Sequence, residues 1–431
     1  KLRKGTKWAP IAPMNGREIT SADVKASYDR LALDEKSIVR GALGLLKTIE
    51  IIDKYTVKLT AKRPSALLID LGRQHPAWII PQDMVDQEGD VNNVMVGSGP
   101  FYMEKQVRGV GYFLKANPHY WDYPKPYIEK LDWLEIVDGA AQVAAFRAGQ
   151  LDFLIRKTNP AKDAILKSNP ATLVDKAVMG GSAWMILHSA KADKPWNDMR
   201  VRTALSKAID RPGMIAALYK DEGDIGGVIP SGYGPWGLTG AQKKDIDFLK
   251  FDLPKAKSLM KEAGYEKGFK GVLCHVGKGR PMRPDPVMAT QMWRDNLNVD
   301  LDISSMALTH GGWLKQCFTG DYEDIAYIPH GGVPQWFQFL SFQFHSQGKW
   351  HSTQLNSDKL DNMINDIEST LDDAERLKKT HAIQHYILSL GWWIPLPAGS
   401  QYNLSNRRLR NFHPNFSDES WLADVWIAPG L

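Results

Sequence analysis

Between residues 17 and 33 the apolar positions Val24, Tyr28 and Leu31 recur at the spacing of one helix face. Thr20 stands before them as a hydroxyl able to accept from a free backbone N–H. Asp23 follows three residues later, so the stretch predicts a helix with a capping-box start. From 48 to 60 the period changes to two. Ile49, Ile51, Val57 and Leu59 alternate about Asp53-Lys54, which predicts strand, tight turn and strand. Residues 99–116 repeat that pattern around Gly109 and Gly111. A strand is predicted at 131–137, a helix at 139–149 ending at Gly149, and a strand from Leu151 to Ile155.

Residues 198–219 are helical but broken near Arg211-Pro212. Asp210 caps the second half and Pro212 falls in its first turn, where a missing N–H costs nothing. Residues 228–248 have no period and are rich in Gly, Pro and aromatics, the mark of a long irregular loop. Helix 254–264, strand 270–276, helix 285–297, strand 299–305, helix 310–319 and strand 323–328 then alternate. That order predicts a layered α/β region with helices covering the sheet. Residues 357–390 are helical, with Leu360, Ile364, Ile367 and Leu371 spaced for burial.

The chain's 431 residues imply more than one domain, and a 43% hydrophobic content is ample for buried cores. Basic and acidic residues number 54 and 49 and are interspersed. The densest basic run, Asn406-Arg407-Arg408-Leu409-Arg410, is too short for a nucleic-acid footprint and reads as a solvated element end. No run of 18 apolar residues suits a membrane-spanning helix. Cys274 and Cys317 are too few for a disulfide scaffold and wrongly spaced for zinc; two buried free thiols are expected, with a bridge as the alternative. There is no Gly-x-Ser-x-Gly elbow, no Walker loop and no dinucleotide-binding glycine motif. No enzymatic activity and no cofactor are expected. His381 and His385 stand four apart on a helix without the Glu of the metalloprotease pattern, so a solvated helix face is expected there. His310, His330, His345 and His351 are irregularly spaced, which disfavours a metal site.

Four phrases occur together in one order. They are Leu2-Arg3-Lys4-Gly5-Thr6-Lys7-Trp8 with Gly16-Arg17-Glu18-Ile19-Thr20-Ser21-Ala22-Asp23-Val24; Val96-Gly97-Ser98-Gly99-Pro100-Phe101 with Asn117-Pro118-His119-Tyr120-Trp121; Pro195-Trp196-Asn197-Asp198-Met199-Arg200-Val201-Arg202 with Ala208-Ile209-Asp210-Arg211; and Asp252-Leu253-Pro254-Lys255-Ala256-Lys257 through Ala263-Gly264-Tyr265. In this order and spacing the chain resembles the family 5 extracellular solute-binding proteins of oligopeptide, dipeptide and nickel ABC importers. The resemblance implies a two-lobed α/β fold of the type II periplasmic-binding-protein kind, with an extra subdomain on lobe one and a hinge of two crossing segments. It sets the subdomain at 1–95, lobe one at 96–238 and 398–431, and lobe two at 239–397. The crossings are expected near Gly237-Thr239 and Pro395-Pro397. Members normally carry further residues ahead of the Leu2-Arg3-Lys4-Gly5 phrase; these supply the first strands of the large lobe, and any lipid-modified Cys would lie there.

The function implied is capture of a small solute by hinge closure and delivery to the permease of an ABC importer. The protein would be periplasmic or extracellular, a monomer, and no partner of nucleic acid. The expected ligand contacts are Trp184 on lobe one, Tyr233 and Trp236 in the irregular loop, and His330, Gln335, Trp336 and Phe337 after a lobe-two strand. Trp392 and Trp393 are expected in the core. Peptide-binding relatives often carry Asp-Pro-Asp where this chain has Val333-Pro334-Gln335. An Asp there holds an ammonium group by a charge-assisted hydrogen bond. Its loss makes a free-amine peptide the poorer candidate, against a sugar, anionic or aromatic solute. A peptide, a metal chelate or a chemosensory ligand are the alternatives.

Overall fold

The computed structural model describes all residues except 34–44, 67, 69–77, 87–94, 178–180, 279–281, 332–334, 415–419 and 430–431. The chain divides into two compact units. Unit 1 holds Lys1–Arg63, Leu68–Ala177 and Gln401–Leu431, and unit 2 holds Pro64–Leu67 and Val178–Ser400.

Unit 1 opens with the helix Ser21–Leu33. Asp23, fully buried, accepts from the Thr20 backbone N–H at 2.8 Å and pairs with Arg17 at 2.7 Å; this is the carboxylate half of the expected capping box, while the Asp23 N–H goes to the Thr20 backbone carbonyl rather than to its hydroxyl. The hairpin β1 (Leu46–Asp53) and β2 (Thr56–Ala61) follows. Next come β3 (Phe101–Val107), β4 (Gly111–Ala116) and β5 (Lys130–Leu134), an antiparallel sheet in that order. Gly111 has φ +152°, and a Cβ there would meet the Trp133 carbonyl oxygen at 2.3 Å; only glycine lets β5 pair so closely. The helix Gly139–Arg147, capped by Asp138, leads to β6 (Phe153–Lys157). The helix Asn159–Ser168 then leads to β7 (Leu173–Ala177).

Unit 2 contains β8 (Ser182–Leu187), β9 (Gly223–Asp224), β10 (Phe269–Val276), β11 (Val299–Asp302), β12 (Ala307–Leu308), β13 (Ile325–His330), β14 (Trp393–Leu396) and β15 (Ala398–Gly399). Its main sheet has the order β11-β10-β13-β8-β14, with β12 beside β10. β10 runs parallel to β11, β12 and β13, whereas β8 runs antiparallel to β13 and β14. The expected helices lie at Met199–Lys207, Arg211–Tyr219, Leu253–Glu262, Pro284–Leu297, His310–Gln316, Asp358–Ser369 and Asp373–Leu390, and of these Pro284–Leu297, His310–Gln316 and Asp373–Leu390 pack on the main sheet. Asp210 caps the helix Arg211–Tyr219 through the Gly213 N–H at 2.9 Å, and Pro212 lies in its first turn. Arg211 is fully buried. Its guanidinium donates to the carbonyls of Ser206, Leu249 and Pro395 and to the Ser206 hydroxyl. The chain returns to unit 1 as β16 (Gln401–Ser405), set between β6 and β7, and ends with β17 (Leu409–Arg410) paired to β18 (Trp426–Ile427).

The division differs from the expected lobes. Residues 181–238 belong with 239–400, because β8 inserts between β13 and β14 and joins their sheet. Apart from the short Pro64–Leu67 stretch, the unit boundaries fall at 177/178 and 400/401; the second lies close to the expected crossing and the first some sixty residues earlier than expected. Period along the chain marks a strand but not the sheet it enters. The expected free thiols are also corrected. Cys274, near the end of β10, and Cys317, the C-cap of the helix His310–Gln316, form a disulfide with Cα atoms 6.1 Å apart.

Candidate functional site

The seven expected contact residues all fall in unit 2, around the carboxyl end of β13. β13 is buried along its length between β10 and β8, and His330 is its last residue. The His330 Nδ1–H donates to the Gly331 carbonyl at 2.6 Å. Its ring is caged by Trp350 at 4.5 Å, Phe339 at 4.8 Å and Trp184 at 6.2 Å between centroids. Burial among these rings disfavours the charged imidazolium and pushes the pKa down to about 4. His330 is therefore neutral at physiological pH and fixes where the following segment starts.

Trp184, expected on lobe one, belongs to unit 2. It lies mid-way along β8, opposite Ile328 and Pro395, with no exposed surface. Its indole N–H donates to the Gly227 carbonyl at 2.9 Å, and its edges meet Phe339 and Phe344. It backs the site. Phe337, 2% exposed, packs edge-on against Trp336 at 5.6 Å and is also wall.

Trp336 and Trp236 form a parallel stack, centroids 4.2 Å apart and planes 10° apart. The Arg376 guanidinium lies 5.3 Å from the Trp236 ring centroid, a cation–π distance. Tyr233 meets Phe339 edge-on at 5.5 Å. Tyr233 and Trp236 belong to the turn Ser231–Trp236, where Gly234 takes φ +61°. That turn is pinned to the helix Asp373–Leu390. The Gln384 amide donates to the Trp236 carbonyl at 2.8 Å, and His381 Nε2–H donates to the Pro235 carbonyl at 2.7 Å. His381 thus holds a loop, which the expected solvated face did not include.

Gln335, half-buried, accepts through its backbone carbonyl from the Gln338 backbone N–H at 3.0 Å. Val333 and Pro334 lie outside the described residues. The geometry brings Trp336 with Trp236, and His330 with Trp184 through Phe339, into one aromatic region; Trp184, Phe337, His330 and Trp336 are all buried, whereas Tyr233, Trp236 and Gln335 are half-buried. Phe339, Phe344 and Trp350 were missed by sequence reasoning. Their signal was the aromatic density of 336–350, which alone cannot separate a cage from a core. Trp392 and Trp393 are buried, and the Arg202 guanidinium covers Trp392 at 4.1 Å. Among the described residues, no three His, Cys, Asp or Glu side chains are grouped to hold a metal ion. No described helix is long and apolar enough to cross a membrane.

Residues 1–350 match the family described as bacterial extracellular solute-binding proteins, family 5 Middle. The chain is 27% identical over 348 residues to the dipeptide-binding protein of Escherichia coli K12, covering 75% of this chain and 63% of that one. It is 25% identical over 439 residues to the glutathione-binding protein GsiB of Salmonella typhimurium LT2, covering 95% of this chain and 79% of that one. Among solved structures it is similar to the periplasmic binding protein DppA of Helicobacter pylori in complex with the peptide STSA. There the TM-score is 0.86 at 21% identity, over 99% of this chain and 85% of that one. It is also similar to AgaA of A. tumefaciens R10 with agropinic acid, with a TM-score of 0.81 at 23% identity over 99% and 88% of the two chains. These likenesses show the two-lobed periplasmic-binding-protein fold, and with the match over residues 1–350 the chain belongs to the family 5 bacterial extracellular solute-binding proteins.

Proposed function

We propose that this protein captures a small solute outside the cytoplasm and delivers it to the permease of an ABC importer, acting as a monomeric carrier without catalysis. The observation that carries the reading is the family match over residues 1–350. The aromatic segment after β13 supports it. The solute is held by closure of the two lobes, because a ligand that touches both binds the closed form better than the open one. Tyr233, Trp236, Gln335 and Trp336 are the direct contacts, and Trp184, His330 and Phe337 form the wall behind them.

The solute is not a plain free-amine peptide. A buried ammonium needs a carboxylate partner, and this chain carries Val333-Pro334-Gln335 where peptide-binding relatives often carry two acids. A peptide remains the second reading, favoured by the relatives whose names specify dipeptide and glutathione binding. Native mass spectrometry of gently purified protein tests the proposal. The expected result is a discrete bound mass that leaves on denaturation and contains no unmodified peptide. Bound dipeptide whose affinity falls in Gln335→Ala and Trp336→Ala overturns the solute class. A protein that binds no solute in the purified state or in a thermal-shift screen overturns the carrier reading.

A further inference from the structure

β14 ends at Leu396, and the chain reaches the unit boundary at 400/401 through β15. Among the described residues β15 pairs only with β9, and two strands of two residues are too short to hold each other. Other contacts fasten this stretch. The Ser400 N–H donates to the Glu222 carbonyl at 2.8 Å. The Asp224 carboxylate accepts from the Gly226 N–H at 2.9 Å and from the Lys243 ammonium at 2.6 Å, with the Lys243 side chain 1% exposed. Tyr219, the last residue of the helix Arg211–Tyr219, supplies the surface on which the crossing rests. A Cβ at Gly399 would stand 2.1 Å from Tyr219 Cδ1, so only glycine lets the backbone lie against that ring.

Tyr219 is itself held at its far end. Its hydroxyl shares a hydrogen bond with Arg283, the N-cap residue of the helix Pro284–Leu297. The Arg283 Nε–H donates to Asp285 Oδ1 at 3.1 Å. Asp285 Oδ2 accepts from the Tyr327 hydroxyl at 2.6 Å; Asp285 has no exposed surface and Tyr327 is 1% exposed. Tyr327 belongs to β13, which lies inside the main sheet between β10 and β8. A fully buried carboxylate is costly unless its oxygens are met, so Asp285 keeps both partners in place. Hydrogen bonds therefore run without a gap from β13 to the ring beneath Gly399. Burial pushes the Tyr219 pKa up to about 12, which keeps the phenol neutral at physiological pH. The members of such a network act jointly, because freeing one leaves its neighbour unmet in a low-dielectric interior.

We infer that Tyr327, Asp285, Arg283 and Tyr219 form a positioning relay that fastens the crossing segment Ala398–Ser400 to β13, so that this end of unit 2 opens only when the relay breaks. The inference goes beyond the carrier reading, and its test needs no solute. Amide hydrogen exchange on the intact protein reads local opening at Ser400 and at β9, with β8 and β10 as internal references. Tyr219→Phe and Tyr327→Phe are each expected to raise exchange at Ser400 about tenfold, while the β8 and β10 amides change by less than about twofold. The double variant is expected to exchange no more than about twofold faster than the faster single variant, because both substitutions break one relay. Gly399→Ala, which displaces the ring without removing a polar group, is expected to give the same local rise. Exchange at Ser400 within about twofold of wild type in Tyr327→Phe overturns the inference, as do single effects that multiply in the double variant. An equal rise throughout unit 2 also overturns it, since that is what lost packing alone produces. If Tyr327→Phe does not fold, the same cycle run with Tyr219→Phe and Asp285→Asn decides the matter by the same criteria.

Discussion

The two units are stabilised differently. Unit 2 has one continuous buried cluster running from Ala183 to Leu396, tied by a disulfide and by Arg211. Among the described residues, unit 1 has four small clusters: around Val24, Tyr28 and Leu46; around Trp8, Met14 and Ile19; around Leu131, Phe412 and Val425; and around Phe146, Ile165 and Leu404. A single core spreads the effect of a perturbation over all its elements, whereas small clusters fail one at a time. The seven candidate residues all lie in the unit with the single core. The wall proposed for Trp184 and His330 would need rotamers locked by dense packing, which a large core supplies.

The comparison breaks most visibly at Trp184. Trp184→Ala is expected to cost about 4 kcal/mol, through lost burial and the residual cavity. Hydrogen exchange should show protection falling throughout β8, β10, β13 and β14 and remaining unchanged in β3–β5. Equal loss in both units would end the two-core description. Replacing the disulfide by Cys274→Ser with Cys317→Ser is expected to cost about 4 kcal/mol, since the bridge closes a sequence separation of 43. Guanidinium titration read by exchange should again place the loss in unit 2.

Acid sharpens the contrast next. The pKa of His330 lies below its ordinary value, so the unfolded chain takes up a proton near pH 6.5 that the folded chain refuses until about pH 4. The stability this contributes is full above pH 6.5 and is lost as pH falls across that window, by up to about 3 kcal/mol. Burial lowers the pKa of His188 and His351 in the same direction. A denaturation series from pH 7 to 4 should find unit 2 weakening first, and a His330→Gln variant should flatten the slope. The smallest effect is expected in unit 1. Ile165→Ala, at a fully buried position, should cost about 2 kcal/mol and deprotect only β6, β7, β16 and their two helices.

Helix starts and stops were readable from the sequence because their causes are local. Asp210 and Pro212 begin one helix and Gly264, with φ +84°, follows another, as their chemistry requires. The strand pair about Lys54 and the alternating region from 253 to 330 were readable for the same reason. Lobe membership was not, because β8 reaches its sheet through pairing with residues over 130 positions away. The Cys274–Cys317 bridge depends on how the helix His310–Gln316 packs beside β10, which no spacing encodes. At the candidate site, residue types pointed to one aromatic segment, which the fold gathers around the end of β13. They did not separate Trp184, which is all interior, from Trp236, which is partly open, since both are tryptophans in apolar runs.

The buried Arg211 bears on how unit 2 comes apart. Its charge has no acidic counterpart among its bonded partners and is spread over carbonyls from three separate stretches of chain. Detaching any one stretch strands a cation in an apolar interior, so partial opening is penalised nearly as much as complete opening. Arg211 thus works as a coincidence detector for assembly: β14, the short helical turn at Asp247–Leu249 and the helix Met199–Lys207 are retained together or released together.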